Sequence, residues 1–221
     1  ELKDGKGVYE ANHLNKTIAF RGMKISNSNE GKYEWFYSNG QLKSEGDYYA
    51  DNEFGIWKGY HANGKLDYEG DYLNGGKKGD WVYYFENGNK SEIEPYQFNE
   101  LHGVNISYHK NGKLRSEAVY EFGERHGEMK FYDQNGVYQM SRMYHYGEIV
   151  SYFYYDSNQK KQEFKIEGGT AEVRAKFPSG KPSREFNLVN GYFDGVYKSF
   201  YENGQLSFEY TLKNNERSGL F

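Results

Sequence analysis

A chain of 221 residues with 24 Tyr, 15 Phe, 27 Gly and no Cys has no means of building a disulfide framework or a thiolate zinc site. Aromatic residues make up 19% of it while all hydrophobic residues reach only 36%, which argues against a thick aliphatic core and for a thin structure of rings with polar tips. The net charge of -4, from 28 basic and 32 acidic residues, argues against nucleic acid as a partner, and no run approaches the roughly 18 apolar residues of a membrane span.

Along the chain one short pattern recurs. A weak copy, 7–30, starts at Gly7 and carries Asn15-Lys16-Thr17-Ile18 where the next copy reads Asn39-Gly40-Gln41-Leu42. Regular units fill 31–150, with Asn-Gly at 39–40, 63–64, 87–88, 111–112 and 135–136, each 24 residues after the last. Eight residues before each Asn stands a glycine: Gly31, Gly55, Gly79, Gly103 and Gly127. Irregular copies occupy 151–194, a regular unit spans 195–218, and Gly219-Leu220-Phe221 opens a truncated unit at 219–221. A fixed period of this kind is the signature of a repeat array.

Asn-Gly between alternating aromatic segments predicts a β-hairpin with a two-residue loop. Strand partners then follow: unit position 1 faces 18, 4 faces 15 and 7 faces 12. Position 1 against 18 sets Gly31 against Tyr48, Gly55 against Tyr72 and Gly79 against Tyr96, so a Tyr ring is expected over each glycine. Position 4 against 15 joins Lys58 to Glu69 and Lys198 to Glu209, while Val82 meets Ile93; Glu34 against Glu45 is a like-charge exception. Position 7 against 12 sets Tyr37 on Leu42 and His61 on Leu66. About five residues, such as Leu73–Lys77, are expected to turn into the next hairpin.

The fold class expected is all-β: an elongated, twisted, single-layer antiparallel meander of tandem hairpins with a 24-residue repeat, forming a single repeat domain over 1–221 in which each hairpin touches only its neighbours. Irregularity at 151–194, with Pro178 and Pro182 near Gly180, is expected to break the register and bend the sheet. Pro95 is expected to cost a hydrogen bond to Asp80.

Residues 55–75, "GIWKGYHANGKLDYEGDYLNG", resemble the MORN-variant repeat as found in the YwqK-like antitoxin family. The resemblance covers 31–149 and 195–221 well, and is thin over 1–30 and 150–194. It implies a non-catalytic protein that binds and neutralises a toxin, and it carries over no functional residue, because the motif residues are structural.

Read for chemistry, the chain offers no catalytic residue, no metal site and no cofactor site. His102 and His126 share a unit position, but one repeat separates them by roughly 10 Å, too far for one ion; they read as solvated turn residues. His61 and His109 read as replacements for Tyr. No phosphate loop or nucleophile elbow is present. The surface is more informative. One face carries Trp57, Trp81, Tyr72, Tyr96, Leu66 and the glycines and is expected to be the drier. The other carries Phe36, Tyr60, Tyr84, Tyr108, Tyr132 and Phe200 among charged pairs, with Glu45, Glu69 and Glu117 in a column; Tyr amid charge is the composition of protein interfaces. This is the expected partner-binding face.

The expected function is a protein-binding scaffold, most specifically an antitoxin or immunity protein with a basic toxin as partner. The alternative is a structural or cell-surface repeat protein mediating assembly or adhesion. Nucleic acid and membrane are not expected partners; edge-to-edge self-association is open to an unclosed sheet. A cytoplasmic location goes with the antitoxin reading, and the envelope or the exterior with removal of an upstream signal.

Overall fold

The structure, a computed structural model, describes residues 5–217 and falls into two compact units divided between Gly103 and Val104. The truncated unit at 219–221 lies outside the described residues. Among those residues the chain is all strand and turn. The first unit holds β1 (Lys6–Asn12), β2 (Ile18–Ile25), β3 (Ser28–Phe36), β4 (Leu42–Tyr49), β5 (Asn52–Tyr60), β6 (Leu66–Leu73), β7 (Gly76–Tyr84), β8 (Lys90–Gln97) and the short β9 (Glu100–Leu101). Consecutive strands pair antiparallel, as a meander requires.

The second unit begins within β10 (Gly103–Tyr108), from Val104 on, and continues with β11 (Leu114–Glu121), β12 (Glu124–Tyr132), β13 (Tyr138–His145), β14 (Glu148–Tyr155) and β15 (Lys161–Lys165), paired in that order. A separate sheet follows, of β16 (Ala171–Lys176), β17 (Pro182–Val189), β18 (Tyr192–Phe193), β19 (Gly195–Phe200), β20 (Leu206–Lys213) and β21 (Glu216–Arg217). Neither sheet closes on itself.

The hairpin register is the one expected. Gly31 pairs with Tyr48, Gly55 with Tyr72 and Gly79 with Tyr96; Lys58 pairs with Glu69, Val82 with Ile93 and Lys198 with Glu209. Glu34 does pair with Glu45, but the Lys32 ammonium lies 3.3 Å from one and 2.8 Å from the other, which removes the repulsion.

The turns differ from expectation. Asn39-Gly40 is not a two-residue loop: the Tyr37 N–H donates to the Gln41 carbonyl, the Gly40 N–H donates back to the Tyr37 carbonyl, and of the pair only Gly40 has positive φ. This is a three-residue loop with a glycine bulge. One extra residue enters the second strand, so Leu42 pairs with Phe36 and Leu66 with Tyr60, not with Tyr37 and His61. Asn holds this loop by its side chain: Asn63 Oδ1 accepts from the Lys65 N–H at 3.0 Å, and Asn63 Nδ2 donates to the Glu86 carbonyl at 3.1 Å, one repeat on. The true two-residue turns join the hairpins, at Asn74-Gly75 and its equivalents, where both residues have positive φ.

The glycines also divide their work differently. No Tyr ring lies over Gly55: a Cβ there would meet nothing within 4 Å, and its φ of +69° is what the backbone needs. Between the pairs Glu45–Lys58 and Asp47–Phe54, the single residue Gly46 opposes Gly55, Ile56 and Trp57. That bulge tips Trp57 flat onto Gly46, where a Cβ would sit 2.2 Å from the indole. Trp81 covers Gly70 in the same way, also at 2.2 Å, and each indole N–H donates to the carbonyl one residue beyond, Asp47 or Asp71, at 3.2 Å. Where Met129 replaces the ring, Ala118 opposes it and is buried.

The first unit is thin, as composition implied: the hydrophobic residues buried among its described positions are Tyr33, Trp57 and Trp81. The second unit departs from a single layer and from neighbour-only contact. At Gly168-Gly169 the register break ends one sheet and starts another, which packs back on the first. Met140 and Tyr152 of the first sheet are sealed against Val173, Ala175, Phe186 and Leu188 of the second. Ser183 Oγ donates to the Gln139 carbonyl at 2.8 Å across that interface. Pro182 stands at the first position of β17, where a missing N–H is tolerated. Pro95, by contrast, pairs with Asp80 inside β8.

Candidate functional site

The structure joins six of the nine expected face residues into three pairs. Tyr60 Oη donates to Glu45 at 2.7 Å, Tyr84 Oη to Glu69 at 2.9 Å and Tyr132 Oη to Glu117 at 2.7 Å. Each Tyr ends the first strand of one hairpin and each Glu lies in the second strand of the hairpin before, fifteen residues earlier, so the bond crosses between repeats. A Lys flanks each Glu: Lys32 at 2.8 Å from Glu45, Lys58 at 3.9 Å from Glu69 and Lys130 at 3.8 Å from Glu117. The remaining three, Phe36, Tyr108 and Phe200, are half-buried without such a pair. Phe has no hydroxyl, and fifteen residues before Tyr108 stands Ile93.

The electrostatics follow from these bonds. Hydrogen bonding to Lys32 first, and to Tyr60 second, holds the Glu45 carboxyl below its ordinary range. Burial, reinforced by Glu45, pushes the Tyr60 phenol up to about 12. The Tyr84 phenol is raised by burial and by Glu69, and that of Tyr132 by burial and by Glu117. In each pair the phenol donates and the carboxylate accepts. Because the Glu45 pKa is depressed in the fold, its contribution to stability is present above the ordinary value of 4.5 and is lost as pH falls through the folded value. Lys32→Gln is expected to raise the Glu45 titration midpoint and to flatten the acid limb of stability; NMR titration of the side-chain carboxyls reads the first and acid denaturation the second.

Beside Glu69 lies an open groove of about 430 Å³, lined by Ile56, Glu69, Asp71, Lys78, Asp80 and Val82. Three carboxylates against one ammonium give it a negative character, although Lys78 binds Asp71 at 3.0 Å.

The opposite face is an aromatic ladder. Trp57 contacts Tyr48 at 5.3 Å and Tyr72 at 5.7 Å; Trp81 contacts Tyr72 at 4.8 Å and Tyr68 at 5.8 Å. Trp57 and Trp81 are buried and Tyr72 and Tyr96 half-buried, so this is the drier face; Leu66, also half-buried, pairs instead with Tyr60. The Lys77 ammonium sits 4.2 Å over Trp81 and 4.7 Å over Tyr96, and burial lowers its pKa.

The histidines are structural in ways their spacing concealed. His61 Nε2 lies 2.8 Å from the Tyr84 carbonyl, as the Tyr37 hydroxyl lies 2.7 Å from that of Tyr60. A carbonyl only accepts, so His61 carries its proton on Nε2 and does replace Tyr, through this bond and not through Leu66. His102 and His126 are only partly solvated: both are half-buried, and His126 packs 4.4 Å from Tyr146 and 5.4 Å from His145. Among the described residues no three His, Asp or Glu side chains are grouped to hold a metal ion.

Six stretches, 29–51, 55–74, 77–97, 101–121, 125–145 and 193–214, match the model of the MORN repeat variant, and together they make up more than half of the chain. The chain belongs to the MORN repeat variant family. The unmatched 146–192 contains the register break at which this family member starts its second sheet. No curated protein matches the chain. Among solved structures, one titled "Crystal Structure of TcdB2-TccC3" matches at 9% identity and a TM-score of 0.16, over 96% of this chain and 18% of that one. The chain thus spans under a fifth of that protein's length, and the likeness carries no argument.

Proposed function

We propose that this MORN repeat protein is a non-enzymatic scaffold that binds a protein partner, and that it acts as an antitoxin or immunity protein against a basic toxin. The observation that carries the reading is the pair of Tyr–Glu–Lys clusters at Tyr60 and Tyr84 in adjacent hairpins of the first unit, next to the groove of Glu69, Asp71 and Asp80; the second unit carries a like cluster of its own at Tyr132. Half-buried Tyr needs little ordering on contact and offers both apolar area and a polar tip. Its carboxylate neighbours complement Lys or Arg on a partner, which favours specificity and fast association. Within the first unit the two clusters stand one repeat apart, which suits a contact at more than one point.

The test is capture from the source cell's lysate with the full chain and with the triple variant Tyr60→Ala, Tyr84→Ala, Tyr132→Ala. A stoichiometric partner that is toxic when expressed alone, silenced by co-expression of the chain, and lost with the triple variant is the expected result. Recovery of envelope components, or of the chain alone, favours the structural or adhesive scaffold instead. A partner that binds both forms equally moves the interface off this face.

A further inference from the structure

The second unit holds two guanidinium groups that the partner-binding reading does not use. Arg142 lies on β13, facing the second sheet; Arg184 lies on β17, facing back. Both sit over the same ring, with guanidinium carbons 4.8 Å and 4.7 Å from the Phe131 centroid. Arg184 is well provided for: Nε and Nη2 donate to Gln139 Oε1 at 3.1 Å and 2.9 Å, and Nη1 reaches Tyr197 Oη at 3.4 Å. Arg142 is not. Among the described residues its one hydrogen bond is a long contact to Tyr144 Oη at 3.5 Å, and its Nε is buried without a partner. The hydroxyl of Tyr152, the residue paired with Arg142 across β13 and β14, is buried and unpartnered too. Among the described residues neither arginine has a carboxylate in ion-pair range.

Two neighbouring cations between packed sheets, without a counter-charge, are costly to desolvate. Rings on three sides soften that cost but accept no hydrogen bond from the plane of the fork. Both orphaned groups can donate: Arg142 Nε–H does nothing else, and the Tyr152 O–H, whose pKa burial raises to about 12, keeps its proton. An acceptor-only, negatively charged ligand is the chemistry that satisfies both and neutralises the pair. We propose that Arg142, with Arg184, Tyr152 and Tyr144 around it, forms a site for one small oxyanion, a carboxylate or a phosphate, between the two sheets of the second unit.

The site is tested on the full chain by calorimetry and thermal unfolding, with inorganic phosphate and with acetate as separate probes, at constant ionic strength against chloride. The expected result is saturable binding of one equivalent with a rise in Tm, since a ligand of the folded state stabilises it by mass action. Phosphate alone, acetate alone or both identifies the source class and supports the site. Arg142→Lys, which keeps the charge and loses the planar fork, is expected to bind at least about tenfold more weakly. Arg142→Met is expected to abolish the response and, freed of a half-buried, unpaired charge, to be no less stable than the parent without anion. No saturable response of the parent protein to either probe overturns the proposal, whatever the variants do. So does binding that Arg142→Lys and Arg142→Met leave unchanged.

Discussion

Gly70→Ala is expected to destabilise the first unit by about 3 kcal/mol, a large effect for one methyl group, because overpacking a rigid contact costs roughly 1–3 kcal/mol or more. The added Cβ would stand 2.2 Å from the Trp81 ring and 2.5 Å from its Cγ, close to the root of the side chain, where no rotation of a flexible end relieves it. Trp81 must leave Gly70 and give up its bond to the Asp71 carbonyl and its contacts with Tyr72 and Tyr68. Gly79→Ala in the same bulge meets nothing within 4 Å and is charged only the left-handed backbone, about 1–2 kcal/mol. The chain supplies its own rescue, since Ala118 lies opposite Met129. Gly70→Ala with Trp81→Met should therefore recover part of the loss relative to the sum of the single changes. Urea unfolding of the four proteins reads this as a coupling energy; strict additivity would mean that the ring does not rest on the glycine.

Phe186→Ala is expected to cost about 3–5 kcal/mol and to loosen the second sheet from the first, as deletion of a sealed aromatic does. Phe186 is 1% exposed, stacks on Tyr197 at 5.1 Å and meets Tyr152 edge-on at 5.0 Å, so it touches both sheets at once. Hydrogen exchange separates this from a general loss of stability. Faster exchange should be confined to β13, β14 and β16–β20, with β1–β8 unchanged, because the first unit's hairpins are held by their own neighbours. Acceleration spread evenly over both units would show that they do not unfold separately.

The face proposed for the partner is largely legible in the sequence. Alternation puts Tyr60, Tyr84 and Tyr132 on one side, and the register puts Glu45, Glu69 and Glu117 on that same side. What alternation does not show is that the phenol of one hairpin bonds the carboxylate of the one before, because the partner is set by the turn between hairpins. The turns depart from the sequence pattern for a related reason. Asn-Gly and Ala50-Asp51 both reverse the chain, and composition favours the first as the tight turn. The backbone puts positive φ on both residues only at the second.

The period of 24 residues, the hairpins and the pairing of strands were determined by the sequence alone, since each rests on residues a few positions apart that recur six times over. The tertiary structure decided which glycine lies beneath a ring, because a bulge in β5 or β7 moves Trp57 and Trp81 onto the neighbouring hairpin. It also decided that the irregular stretch would begin a covering sheet. The contacts that hold that sheet, Ser183 and Arg184 on Gln139, join residues 44 and 45 positions apart. Nothing periodic marks them: burial there depends on two surfaces meeting after both have formed.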